Sequence, residues 1–76
     1  MAPEDEILFD ALRAWRAAEA RAQGVPPYVI FQDVVLREIV AARPATLDAL
    51  GQLRGVGASK LARYGAQVLE VTRRGS

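Results

Sequence analysis

The chain has 76 residues, 51% of them hydrophobic and 25% charged, and a formal net charge of +1. It contains no cysteine and no histidine. That excludes a disulfide framework, a zinc site of the usual kind, and every Ser–His, Cys–His or histidine acid–base arrangement.

A length of this order predicts one domain over residues 1–76, with an acidic lead-in at residues 1–6 and a short tail at 74–76. Its core is thin, so most helical faces must be buried to offset chain entropy. Ala and Leu dominate the apolar residues, and no stretch alternates apolar and polar long enough for a strand. The expected class is all-α. The apolar runs fall far short of the roughly twenty residues that cross a bilayer. The start, Met1-Ala2-Pro3-Glu4-Asp5-Glu6, is acidic and lacks the pattern of a signal peptide. These features predict a soluble, cytoplasmic chain with no membrane partner.

The first helix is predicted over about residues 4–22. Ile7, Leu8, Ala11, Leu12, Trp15 and Ala18 form its apolar stripe, with Trp15 in the core. Glu4, Asp5 and Glu6 suit the positive end of the helix dipole. Together with Asp10 they also make a candidate docking surface for a basic partner. Arg13, Arg16 and Arg21 lie off the stripe and are expected in solvent. Gly24 is placed to cap the helix in a left-handed conformation.

Val25-Pro26-Pro27-Tyr28-Val29-Ile30-Phe31 follows. Adjacent prolines disfavour a helix and favour an extended path, yet the segment is strongly apolar. It is expected to cross the core, with Val29 or Ile30 and Phe31 pointing inward. Tyr28 either covers the core edge or stacks on an unpaired base from the surface.

Asp33 is the expected N-cap of the next helix, which carries Val35, Leu36, Ile39 and Val40 inward and ends before Pro44 after a last turn of Ala41-Ala42-Arg43. Thr46 is expected to cap a short helix with Leu47, Leu50 and Leu53 on its apolar edge. The last helix spans about residues 58–73, with Leu61, Tyr64, Gly65, Val68, Leu69 and Thr72 on one face. Gly65 inside it signals a close helix crossing.

Between these two helices lies Arg54-Gly55-Val56-Gly57-Ala58-Ser59-Lys60, the pattern of a helix–hairpin–helix turn. Gly55 and Gly57 permit backbone angles that other residues resist. Val56 is expected to pin the turn to the core. The amides of Gly57, Ala58 and Ser59 then stand free at a helix start, where they can receive phosphate oxygens. Arg54 and Lys60 add cations beside them, and Arg63 and Arg37 extend the positive face if the fold brings them near. Lys60 opposes the helix dipole, which points to function rather than to local stability. Such a site grips backbone without reading sequence, and at +1 overall its grip is weak and salt-sensitive. The same glycines also suit a plain tight connection. No Walker loop is present.

The opening Leu8-Phe9-Asp10-Ala11-Leu12-Arg13, the connector Val25-Pro26-Pro27-Tyr28-Val29-Ile30-Phe31-Gln32-Asp33, Leu36, and residues 50–65 with Gly55-Val56-Gly57 and Lys60-Leu61-Ala62-Arg63-Tyr64-Gly65 resemble the HRDC family. The name stands for "helicase and ribonuclease D C-terminal", and the details are most similar to bacterial RecQ-family DNA helicases. The resemblance implies a compact five-helix bundle with one turn of helix in or near the Pro-Pro connector. It implies a non-enzymatic accessory role beside an ATP-driven 3′-to-5′ helicase core that this chain lacks. It also implies contact with single-stranded or partial-duplex DNA, through Tyr28, Lys60 and neighbouring arginines, that tunes which DNA structures the parent prefers. No cofactor, metal or small-molecule ligand is implied, and the location would be the bacterial nucleoid. DNA-binding members carry more lysine, whereas this chain has one. The alternative is therefore docking on other domains of the parent helicase through Glu4, Asp5, Glu6 and Asp10. An RNA-facing role, as in ribonuclease D, is the third reading.

Overall fold

Proline at a helix start loses an amide that would have had no partner anyway. Pro3 accordingly opens α1 (Pro3–Gln23), with Glu4, Asp5 and Glu6 in its first turn. The computed structural model describes residues 2–74; Met1, Gly75 and Ser76, the ends of the expected lead-in and tail, lie outside the described residues. Residues 3–6 of that lead-in are the first turn of α1. The chain continues through α2 (Pro27–Ile30), α3 (Asp33–Ala42), α4 (Leu47–Gly51) and α5 (Ala58–Arg74). It is all-α, with no strand among the described residues.

Gly24 closes α1 at φ 67°, its amide donating to the Arg21 carbonyl at 3.2 Å. The buried stripe of α1 is rotated from the expected one. Leu8, Phe9, Leu12, Arg16 and Ala20 face inward, while Ile7 is 63% exposed and Ala18 is also exposed. The reason is tertiary: α2, α3 and α5 all pack on α1, and they select which of its apolar residues are covered.

The connector is not wholly extended. Pro26 is extended, and Pro27 then begins the single turn of α2. Ile30 and Phe31 are buried as expected, and Val29 is 43% exposed. Asp33 is the first residue of α3 rather than its N-cap; Gln32 holds the cap position without a side-chain bond. The Asp33 carboxylate pairs with Arg16 of α1 at 2.7 Å instead of capping its own helix. Arg43 does not continue α3 but terminates it at φ 44°, an uncommon conformation for a non-glycine residue. Its guanidinium reaches back to the Asp5 carboxylate at 3.1 Å and the Glu4 carbonyl at 3.3 Å.

Thr46 caps α4 as expected, its hydroxyl accepting from the Ala49 amide at 3.1 Å. Leu8, Leu12, Ile30, Leu36, Ile39, Leu50 and Val68 form the fully buried centre. Trp15, Phe31 and Tyr64 meet beside it, with ring centroids 5.7–6.1 Å apart. Gly65 marks a close α4–α5 approach: a Cβ there would lie 2.7 Å from a Leu47 methyl. Val71 joins the buried face of α5, which the sequence stripe omitted.

Candidate nucleic-acid interface

Gly55 sits at φ 89°, and a Cβ on it would lie 2.5 Å from a Val35 methyl in the first turn of α3. Both facts require glycine. Gly57 has no positive φ, and a Cβ on it would meet nothing within 4 Å, so the expected conformational need applies to Gly55 alone. Val56 is 3% exposed and fastens the turn, with its amide on the Leu53 carbonyl at 3.1 Å.

α5 then starts at Ala58. The Leu61 amide takes the Gly57 carbonyl at 2.9 Å, whereas the amides of Gly57, Ala58 and Ser59 have no acceptor among the described residues. All three residues are exposed, and no carboxylate is bonded there. Arg54 and Arg63 are exposed and make no ion pair among the described residues; the Arg63 guanidinium lies 5.4 Å from the Tyr64 ring centre.

Lys60 does not stand free beside the open amides. Its ammonium donates to the carbonyls of Val29 and Ile30 at the end of α2 and lies 5.4 Å from the Phe31 ring centre. A cation there meets unpaired carbonyls and an aromatic face, which offset its unfavourable place in the first turn of α5. This bond ties α5 to α2, and with it the hairpin to Tyr28, which is 66% exposed. The hairpin, Lys60, Arg63 and Tyr28 thus share one region.

Arg37 is elsewhere. It lies over the Phe9 ring at 5.7 Å, at the α1–α3 junction. Of the acidic residues, Asp5 is occupied by Arg43, while Glu4, Glu6 and Asp10 are exposed.

Arg16, expected in solvent, is instead buried on the inner face of α1. It is 8% exposed, pairs with Asp33, and donates to the Phe31 carbonyl at 2.8 Å. It thereby fixes the exit of the connector. The hydrogen bond from Arg16 is the main cause holding the Asp33 carboxyl below the usual aspartate range; the charges of Arg16, Arg37 and Arg13 add to it, against some desolvation. The available signal was the four-residue ladder Leu8, Leu12, Arg16, Ala20, which places the arginine on a buried ridge.

Comparison with known proteins agrees with this architecture. The HRDC domain family model matches residues 5–72. The ATP-dependent DNA helicase RecQ of Bacillus subtilis is 42% identical over 88% of this chain, and that match is 11% of its own length. The ATP-dependent DNA helicase UvrD2 of Mycobacterium bovis is 42% identical over 91% of the chain and 10% of its own length. The chain therefore spans about a tenth of these relatives. Among solved structures, the D. radiodurans RecQ HRDC domain 3 superposes with a TM-score of 0.89 at 27% identity, covering 92% of both chains. With its five helices, glycine hairpin and Pro-Pro turn in this arrangement, the chain belongs to the HRDC domain family, an accessory domain of helicases such as RecQ.

Proposed function

We propose that this domain binds single-stranded or partial-duplex DNA weakly and without sequence preference, and so tunes the substrate choice of a RecQ-like, ATP-dependent 3′-to-5′ helicase. The carrying observation is the open row of amides at Gly57, Ala58 and Ser59, flanked by Arg54 and Arg63 and joined through Lys60 to exposed Tyr28. Phosphate oxygens accept from the amides, the arginines supply charge, and Tyr28 offers a stacking face. The domain itself performs no chemistry in this reading. Fluorescence anisotropy with a labelled oligothymidylate at low salt tests it. Binding should weaken linearly in log–log salt plots, with a slope of about 0.7 per phosphate engaged. Arg54→Ala and Tyr28→Ala should each weaken it while leaving the fold intact; unchanged affinity in both removes the site.

A second reading rests on Glu4, Glu6 and Asp10, which are exposed and make no ion pair among the described residues. They would dock on a basic surface of the parent enzyme. Charge reversal at Glu6 and Asp10 would then alter DNA preference only in the full-length helicase. The same alteration in the isolated domain would exclude docking as its cause.

A further inference from the structure

A helix of one turn is too short to hold itself, so outside contacts decide how firmly it sits. α2 has four residues, of which Ile30 alone is buried, while Pro27, Tyr28 and Val29 are exposed. Tyr28 makes no hydrogen bond or ring contact among the described residues, so its placement follows the backbone of α2. The next two carbonyls after Tyr28, those of Val29 and Ile30, both accept from the Lys60 ammonium of α5. Two of the three ammonium donors are thereby used, and the Phe31 ring centre lies 5.4 Å away.

We propose that Lys60 is a positioning residue that acts through Tyr28 and makes no contact with phosphate. The role rests on the proposed DNA-binding reading and assigns its preference for unpaired bases to one side chain. A stacking ring gains most when it is already in place, because a base that must first order its platform loses that ordering entropy from the gain. Lys60 orders the platform in advance. It pins α2 to the first turn of α5, directly after the open amides of Gly57, Ala58 and Ser59. Stacking platform and amide row are then held as one unit, and a strand engages both only where a base is unpaired. Moving the ammonium to a phosphate would strip two carbonyls of their donor, while the amides with Arg54 and Arg63 already offer what a phosphate takes. The one lysine of the chain therefore adds selectivity for bases and none of the salt dependence.

The test uses this 76-residue chain with two labelled probes, an oligothymidylate and an abasic strand with the same number of phosphates. Affinities are measured where circular dichroism shows each variant folded. Lys60→Met should weaken oligothymidylate binding by no more than Tyr28→Ala does, about 5- to 160-fold at most. The double variant should bind as Tyr28→Ala alone binds. Affinity for the abasic strand and the salt slope should stay at the parent values. A weaker grip on the abasic strand, or a slope lowered by about 0.7, makes Lys60 a phosphate contact and overturns the role. Additive losses in the double variant overturn it too. Equal binding of both probes by the parent chain removes stacking and this role together, and leaves the hairpin standing. If the parent chain binds neither probe, the DNA reading itself fails and takes the role with it. Should Lys60→Met not fold, the parent chain decides. Its one lysine gives a single ammonium NMR signal, which should keep its nuclear Overhauser contact to the Phe31 ring when oligothymidylate is bound; loss of that contact on binding overturns the role.

Discussion

Replacing Gly55 by alanine should damage the fold, while the same change at Gly57 should not. Two costs act at Gly55. Its φ of 89° is a conformation that β-carbon residues resist, at about 1–2 kcal/mol. The new methyl would also lie 2.5 Å from a methyl of Val35, which is 7% exposed and has little room to retreat. Overpacking of this kind costs about 1–3 kcal/mol. Together they amount to about 2–5 kcal/mol, or roughly 8–40 °C in Tm for a domain of this size. At Gly57 neither cost applies, because φ is not positive and the added methyl meets open space. Weaker helix capping and a stiffer unfolded chain then act in opposite directions, each within about 1 kcal/mol. Thermal unfolding followed by circular dichroism at the helix band measures both variants. Equal Tm losses for the two would refute the assignment of distinct roles to the glycines. A folded Gly57→Ala chain also serves as a probe of the phosphate site, since its methyl stands beside the open amides.

Arg16→Met should destabilise by about 1–3 kcal/mol in a denaturant titration, because it strands the Phe31 carbonyl and frees Asp33. Asp33 carries a pH signature as well. Its folded pKa lies below its unfolded value near 3.9, so the pair contributes fully above that value and is lost as pH falls through the folded pKa. Tm should drop on acidification below about pH 4, and Asp33→Asn should make that drop shallower; identical profiles would refute the pair's contribution. Lys60→Met should lower Tm by several degrees, since the α2 carbonyls lose their cation; a loss of DNA binding with unchanged Tm would contradict that anchoring role. Tyr28→Ala should leave Tm unchanged and weaken oligothymidylate binding about 5- to 160-fold, the range expected for one stacked base.

Local chemistry was legible in the sequence. Gly24 closing α1, Thr46 capping α4, Val56 pinning the hairpin and Phe31 entering the core follow from rules that act over a few residues, and each holds. So does the family, because the hairpin and the Pro-Pro turn are local patterns. The face of α1 was not legible. Helical spacing allows both the Ile7–Ala18 stripe and the Leu8–Arg16 ridge, and only the placement of α2, α3 and α5 selects the second.

The sequence by itself determined α1, α3, α4 and α5, the caps at Gly24 and Thr46, and the glycine turn, since hydrogen bonding and backbone sterics at short range decide them. Tertiary structure alone decided the fate of the charges. It buried Arg16 on Asp33, bent Lys60 onto the end of α2, and set Arg13 and Arg37 on one ring. A long cationic side chain can reach several acceptors that are distant in the chain. Which one it meets depends on how the helices cross, and spacing along a single helix carries no record of that.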